Sequence, residues 1–456
     1  MTSFNSDYQT VTIIMEKKPR LSFWSIWNMS FGFMGVQIGY SLQNGNTSRI
    51  LSALGSDVDH LSYFWLAAPL AGLIVQPIIG LFSDNTWTRL GRRIPYILLG
   101  AIVSAMAMFF MPNSEFFSYI LPPLFFGAFM LLFMDTSFNV TMQPFRALVG
   151  DMVSEEQRNQ GYSVQSFLIN AGAVIGSLLP FILTWLGVSN VPAAGEKVAP
   201  TVIWAFYFGG SALLLSVLWT SFRTKEFPPE EYKKYYQLKQ EDVKKSSFFT
   251  LLKEIPVTMW RLAIVQFFSW FALFLMWVYT TPGVAQNVWN TVAGDSTSAG
   301  YNEAGNWVGV IFAVYSLFGA LFSVIMARLA NRFGRKTIYM LSLIAGGVGL
   351  ISMIFIKEKY GLIFSMAGIG IAWAAILAMP YAILSAALPS DKMGVYMGIF
   401  NATITIPQLT AGALGGVVLT LVGGNAILML GIAGLSMVLA AVSVVFVKEY
   451  INTSKT

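Results

Sequence analysis

The chain has 456 residues, of which 55% are hydrophobic, 15% aromatic and only 11% charged. A soluble domain carries about a quarter charged residues, so this composition excludes an ordinary water-soluble fold. With no cysteine and a single histidine, His60, disulfides, thiolate catalysis and a Cys-ligated metal are excluded, and the sequence implies neither a metal nor a cofactor.

The first twenty residues are polar and include Glu16, Lys17, Lys18 and Arg20. They lack the short apolar core and small-residue cleavage site of a signal peptide, so the N-terminus is expected to stay in the cytoplasm. A bilayer core of about 30 Å takes about 20 apolar residues as helix. Such runs are expected at 21–42, 61–81, 94–112, 118–149, 161–187, 201–222, 258–290, 307–329, 338–356, 361–387, 394–421 and 425–447. They are too long and too apolar for the strands of an outer-membrane barrel. The expected fold is therefore all-α: a polytopic membrane protein of twelve transmembrane helices.

The one long hydrophilic stretch, Arg223 to Glu254, divides these spans six and six. It implies an N-terminal half over 1–222, a cytoplasmic linker over 223–257 and a C-terminal half over 258–456. The halves echo each other. Gly80-Leu81-Phe82-Ser83-Asp84 and Arg89-Leu90-Gly91-Arg92-Arg93 follow the second span, and Arg328 to Lys336, with Arg332, Gly334 and Arg335, follows the eighth. Pro144-Phe145-Arg146-Ala147-Leu148 late in the fourth span matches Pro380-Tyr381-Ala382-Ile383-Leu384 late in the tenth. Two pseudo-symmetric six-helix halves about a central site are a transporter's architecture.

Basic residues collect in cytoplasmic loops. With the N-terminus inside, only Arg49, Lys197, Lys357 and Lys359 fall in outside loops, and Arg146 falls within a span. That bias predicts both termini on the cytoplasmic side of the inner membrane, and it accounts for the net charge of +6 without a nucleic-acid partner.

The fourth span holds the chemistry. A charge inside a span costs about 2.5–3.5 kcal/mol on insertion scales, so each needs a reason. Asp135, Asn139, Met142 and Arg146 recur at helical spacing and form one polar stripe. At 1.5 Å per residue Asp135 and Arg146 lie about 16 Å apart along the axis, too far for an ion pair. A mid-depth carboxyl group can gain a proton in the bilayer and lose it to water, which makes Asp135 the candidate proton carrier; the other reading is an acid that only orders helices. Arg146 is read either as a ligand of sugar hydroxyls or as a clamp for Asp151. Neutral sugars are held by amides and aromatic faces. Gln37, Asn44, Asn139, Gln143, Trp270, Tyr279, Trp373 and Asn401 are the candidates, with Asn170, Gln266, Trp277 and Gln408 in reserve. In the basic turns, Asp84, Arg89, Gly91, Arg92, Arg93, Asp151, Arg332 and Arg335 serve either as topology signals or as a gating latch at helix ends.

The turn Gly-X-X-X-Asp followed by Arg-X-Gly-Arg-Arg resembles the signature of the major facilitator superfamily, which favours gating for Asp84 and Gly91. The stretch Trp65 to Gly100, with Gln76-Pro77 and Ser83-Asp84, resembles the sucrose:proton symporters of the glycoside-pentoside-hexuronide group. So do Asp135, Asn139, Gln143-Pro144, Arg146-Ala147-Leu148 and Asp151, and Gly370-Ile371-Ala372-Trp373 with Met379-Pro380-Tyr381-Ala382. The resemblance implies a disaccharide as substrate, an α-linked glucoside such as maltose or sucrose, with protons as the coupling ion, in a lipid-embedded monomer. Two features depart from it: the plant carriers' histidine aligns with Val58, and Trp270-Phe271-Ala272 leads to Trp277 and Tyr279 rather than to acids. Efflux of amphipathic compounds and sodium coupling stay as alternatives. An integral-membrane enzyme is the third class and is not expected, since it would need a catalytic constellation that the spans do not show.

Overall fold

A computed structural model describes residues 18–154, 157–193, 195–228, 230–231, 255–385 and 399–447. The first group of helices is α1 (Phe23–Ala53), α2 (Val58–Phe64), α3 (Ala67–Asn85), α4 (Ile94–Phe110), α5 (Pro123–Met152), α6 (Arg158–Trp185) and α7 (Pro200–Arg223). The second is α8 (Val257–Val288), α9 (Ala299–Phe333), α10 (Arg335–Phe355), α11 (Leu362–Ser385), α12 (Ala402–Leu421) and α13 (Ala426–Val444). Among the described residues, ten helices are long and apolar enough to cross a membrane. Helices suit that setting because every backbone polar group is satisfied within the segment.

Three boundaries differ from the sequence reading, each for a physical reason. The first span does not end at residue 42: α1 runs on to Ala53, and Arg49 is a buried helix residue rather than part of a loop. Its polar final turns persist because other helices supply their partners, and Gly55, at φ +106°, ends the run. The second span is two helices, broken at Trp65 and Leu66, where the Trp65 indole donates to Ser48 Oγ at 3.0 Å. The eighth begins eight residues early because Ser298 caps α9, accepting from Tyr301 N at 3.2 Å. The expected start of the eleventh span, 394–398, lies outside the described residues, as does most of the expected linker.

Within the first group α1 packs on α6 and α7, and glycines set the spacing. A Cβ on Gly35 would lie 1.9 Å from Ser216 Oγ, and one on Gly172 would lie 2.3 Å from the Met34 carbonyl oxygen. Small residues at such crossings let helix backbones touch, the usual source of packing energy inside a bilayer. In the second group α8 lies against α13, and α10 against α11 and α13.

The two groups meet through α6 on α9, α2 on α12 and α1 on α8. The closest approaches are backbone to backbone: a Cβ on Gly309 would sit 2.3 Å from the Ser177 carbonyl oxygen, and one on Gly416 would sit 2.2 Å from that of Asp59. This contact lies toward the C-terminal end of α1, called here the Arg49 end. The opposite face carries the basic turns after α3 and α9.

Candidate functional site

The stripe on α5 is graded. Asp135 is 2% exposed, Asn139 and Met142 are half-buried, and Arg146 is exposed although it lies within the helix. One face of one helix thus passes from sealed to open over three turns, with the open end toward the basic turns. Pro144 lies in the same stretch of α5, as Pro380 does in α11. Each proline removes a backbone N–H, which frees a carbonyl one turn earlier and lets the helix bend.

Asp135 has a partner that the sequence does not advertise. Gln43 of α1, 0% exposed, donates a short hydrogen bond from Nε2 to Asp135 Oδ1. Among the described residues, Asp135 Oδ2 and Gln43 Oε1 have no hydrogen-bond partner. Asn139 turns its amide back to the Asp135 carbonyl oxygen at 2.8 Å. Tyr40, one turn before Asn44 and within its hydrogen-bonding reach, lies within electrostatic range of Asp135, Arg146 and Tyr315. Arg146 in turn has Tyr40 and Tyr381 as charge neighbours, and Tyr381 shares a 3.2 Å hydrogen bond with Asn401. Gln143 is half-buried on α5. Gln37 is half-buried where α1 crosses Gly172 of α6.

From the second group comes an aromatic cluster. Trp270 and Trp277 of α8 stand 6.4 Å apart, each 5.9 Å from Trp373 of α11, with Tyr315 of α9 at 6.3 Å from Trp373. Trp373 meets the other three rings edge-on, at 74°, 83° and 86°, while Trp270 and Trp277 are tilted by 55°. Among the described residues, the buried Trp270 indole N–H has no acceptor. Tyr315 belongs to this group but was not singled out from the sequence. Tyr279 does not join it: two residues from Trp277 is about 200° around a helix, and its ring is buried near Ser62 and Gly415, at the contact between the groups. In reserve, Gln266 is buried and accepts from Tyr339 Oη at 3.2 Å, while Asn170 bonds to its own helix at the Ser166 carbonyl oxygen.

At the Arg49 end a guanidinium joins the groups. Arg49, 2% exposed, donates from Nε to Asn302 Oδ1 at 3.0 Å, from Nη1 to Asn306 Oδ1 at 2.8 Å, and from Nη2 to Asn302 and Asn190 Oδ1 at 2.8 and 2.7 Å. Asn306 also donates to Thr184 Oγ1 at 2.6 Å. Ser48 Oγ donates to the Val278 carbonyl oxygen at 2.9 Å, a second polar link between groups.

The basic turn after α3 is held differently. Asp151, at the end of α5, pairs with Arg92 and, at 3.0 Å, with Arg93 Nε; Arg93 Nη1 donates to Ser83 Oγ at 2.6 Å. Glu226 Oε1 accepts from the backbone N–H of Arg93 at 2.8 Å and of Ile94 at 2.9 Å, capping α4. Gly91, at φ +111°, makes room: a Cβ there would lie 2.6 Å from Glu226 Oε1. Burial pushes the Glu226 carboxyl up from the usual carboxylate range, against the pull of those backbone donors. Arg89 is exposed, and the Asp84 side chain lies outside the described residues. In the second group Arg335 Nη1 donates to the Ala382 carbonyl oxygen at 2.8 Å and Arg332 lies over the Phe333 ring.

Two packed groups of membrane-spanning helices, with a polar stripe in the first and an aromatic cluster in the second, define a transporter of the major facilitator fold. A family model described as MFS/sugar transport protein matches residues 50–450, and the chain belongs to that family. It is a membrane transporter, not an enzyme. Among curated relatives, the rice sucrose transport protein SUT5 (Oryza sativa) is 24% identical, covering 84% of this chain and 80% of its own. The Arabidopsis thaliana sucrose transport protein SUC4 is also 24% identical, over 86% and 83%. The general alpha-glucoside permease of Schizosaccharomyces pombe is 26% identical over 61% of this chain, which spans about half (51%) of that permease. Among solved structures, a D-xylose-proton symporter matches with a TM-score of 0.68 at 16% identity, covering 94% of this chain and 99% of its own. The nucleoside transporter NupG matches at 0.64 and 14%, over 94% and 99%.

Proposed function

We propose that the protein takes up a neutral disaccharide, a maltose- or sucrose-like α-glucoside, together with protons, by alternating access. The observation that carries this reading is the buried carboxyl of Asp135 at the sealed end of a face that opens toward Arg146. A permanently charged group there would cost about 2.5–3.5 kcal/mol. A group that exchanges a proton escapes that cost for part of the cycle and couples the exchange to whichever side is open. The names of the rice, Arabidopsis and fission yeast relatives support a sugar, and specifically a glucoside, as the cargo.

In this reading Asp135 carries the proton. Asn139, Gln143, Arg146, Gln37 and Asn44 offer hydrogen bonds from the first half, with Asn401 from the second, and Trp270, Trp277, Trp373 and Tyr315 offer the faces and edges on which a pyranose ring's C–H surface rests. The halves, 1–222 and 258–456, rock about this site as a monomer in the inner membrane. The basic turns and both termini lie on the cytoplasmic side, and the Arg49 end faces out. The arrangement described is then the inward-facing one, closed by the Arg49 network, with Arg92, Arg93, Asp151 and Glu226 shaping the cytoplasmic rim.

The test is uptake of labelled maltose and sucrose into proteoliposomes, with and without an inward proton gradient, by the native chain and by Asp135→Asn. Gradient-driven accumulation by the native chain, lost in the variant while sugar exchange survives, is the expected result. Equal accumulation by the variant removes Asp135 from coupling. Accumulation driven by a sodium gradient alone replaces the coupling ion, and the absence of flux with either sugar moves the cargo to another class.

A further inference from the structure

We propose that Gln43 is the positioning partner of the coupling carboxyl: a proton on Asp135 Oδ2 completes a two-bond acid–amide pair between α5 and α1. The inference rests on the proposed role of Asp135 and goes beyond it by naming the residue that registers the proton.

The geometry is half of such a pair. Gln43 Nε2 already donates to Asp135 Oδ1, and the two atoms left unpartnered are Asp135 Oδ2 and Gln43 Oε1. Both are acceptors, both are buried, and one hydrogen between them satisfies both. Leaving a buried acceptor unmade costs about 1–3 kcal/mol, so a carboxyl O–H shared by the two would relieve both. When a proton from water adds to Oδ2, the new O–H donates to Gln43 Oε1 and Gln43 Nε2 keeps its bond to Oδ1. When the proton returns to water, the second bond is lost and the first remains. The number of hydrogen bonds joining α5 to α1 thus follows the protonation of one residue.

The position matters because α1 also carries Arg49, six residues on, which ties the groups together. Other ionisable groups around the pair are few. Tyr40 on α1 is within electrostatic range of Asp135, and also of Arg146 of α5 and Tyr315 of α9. On α4 the only such residue is Tyr96, bonded to Thr86 at the opposite end; on α3 it is Asp84, near the helix end; on α6 they are Arg158 and Tyr162, at its start. On α7 they are Tyr207, which accepts from Asn113, and Arg223 at the last turn; on α8 they are Arg261, in the second turn, and Tyr279, in the seam with α12. None of these supplies a hydrogen to the two orphans.

The experiment uses the full chain with acid and amide exchanged across the pair. Gln43→Glu with Asp135→Asn keeps both side-chain lengths and moves the carboxyl to α1. Proton-driven accumulation of labelled maltose and sucrose is expected to fall about tenfold in Gln43→Leu, the size of one hydrogen bond to a buried acid, with exchange retained. In the double variant it is expected to recover about tenfold over Asp135→Asn alone. Infrared difference spectra between low and high pH read the pair without any sugar. The native chain should show a carboxylic C=O band that is absent from Asp135→Asn and displaced to higher wavenumber in Gln43→Leu, because Oδ1 loses its donor. An unmoved band in Gln43→Leu, or a double variant no better than Asp135→Asn, overturns the pairing while leaving Asp135 as carrier. If the native chain has no band that Asp135→Asn removes, the carrier assignment falls and the pairing with it.

Discussion

Arginines are handled in opposite ways at the two ends of the molecule. At the basic turn, Arg92 and Arg93 meet a carboxylate, Asp151 of α5, and Arg93 also bonds Ser83 of α3, both in the first group of helices. At the other end, Arg49 is buried against three asparagine oxygens, two of them on α9 of the second group, and no carboxylate is among its described partners. Burying a cation carries a large desolvation penalty that an opposite charge partly offsets and neutral dipoles offset less. An arrangement of the first kind fixes a local shape. One of the second kind joins two bodies while leaving the joint little margin, which suits the parting and reforming of the contact in the alternating access proposed above.

The largest test of that contrast breaks the joint. Arg49→Leu removes the hydrogen bonds that cross between the groups and should shift the balance toward an open Arg49 end by about 2 kcal/mol, or about thirtyfold. The chain lacks cysteine, so a single Cys placed at Ser62, buried in the seam of α2 and α12, reports the change as its rate of labelling by an impermeant maleimide. An unchanged rate would leave the asparagine clamp without a role in closure.

Gly91→Ala should act at the other end and stay there. A side chain at φ +111° is strained, and this one also collides with Glu226. Unfolding of the protein should become easier by about 1–3 kcal/mol, seen as a lower Tm, while the Ser62 reporter keeps its native rate. A large change in that reporter would mean that the two ends are not separable.

The smallest effect sharpens the picture at Glu226. Its carboxyl titrates above the ordinary range because of burial, so the folded state holds the proton more tightly than the unfolded chain does. Its contribution to stability is therefore fully present below the ordinary carboxylate pKa and declines as pH rises through the raised one. Native Tm should fall modestly across that window, and Glu226→Gln should flatten the decline. A slope unaltered by the substitution would assign the pH dependence to other groups.

Much of the fold is legible in the sequence because apolar length and the positions of basic residues follow from the bilayer itself. The exceptions share a cause. Gln43, Asn46, Thr47, Ser48 and Arg49 read as the end of a span, since hydropathy registers polarity and not the partners that satisfy it. Those partners are 92 residues away for Gln43 and 253 for the Arg49–Asn302 bond. Gln43 did leave a trace, because Tyr40, Gln43, Asn44 and Thr47 recur at helical spacing on one face of α1. In α8 the spacing of seven residues between Trp270 and Trp277 places both on one side, whereas Tyr279 follows Trp277 too closely to share it. Nothing in the local sequence of α9 marks Tyr315, whose significance comes from its neighbours on other helices.

Gly412, Gly415 and Gly416 bring the backbone of α12 against α2, where a Cβ would fall 2.4 Å from Leu66 Cδ2, 2.8 Å from Ser62 Cβ and 2.2 Å from the Asp59 carbonyl oxygen. What shuts this seam is therefore missing matter, and any side chain there is a doorstop. A side chain at any of the three would wedge α12 away from α2, so the fit of this seam depends on what these positions leave out.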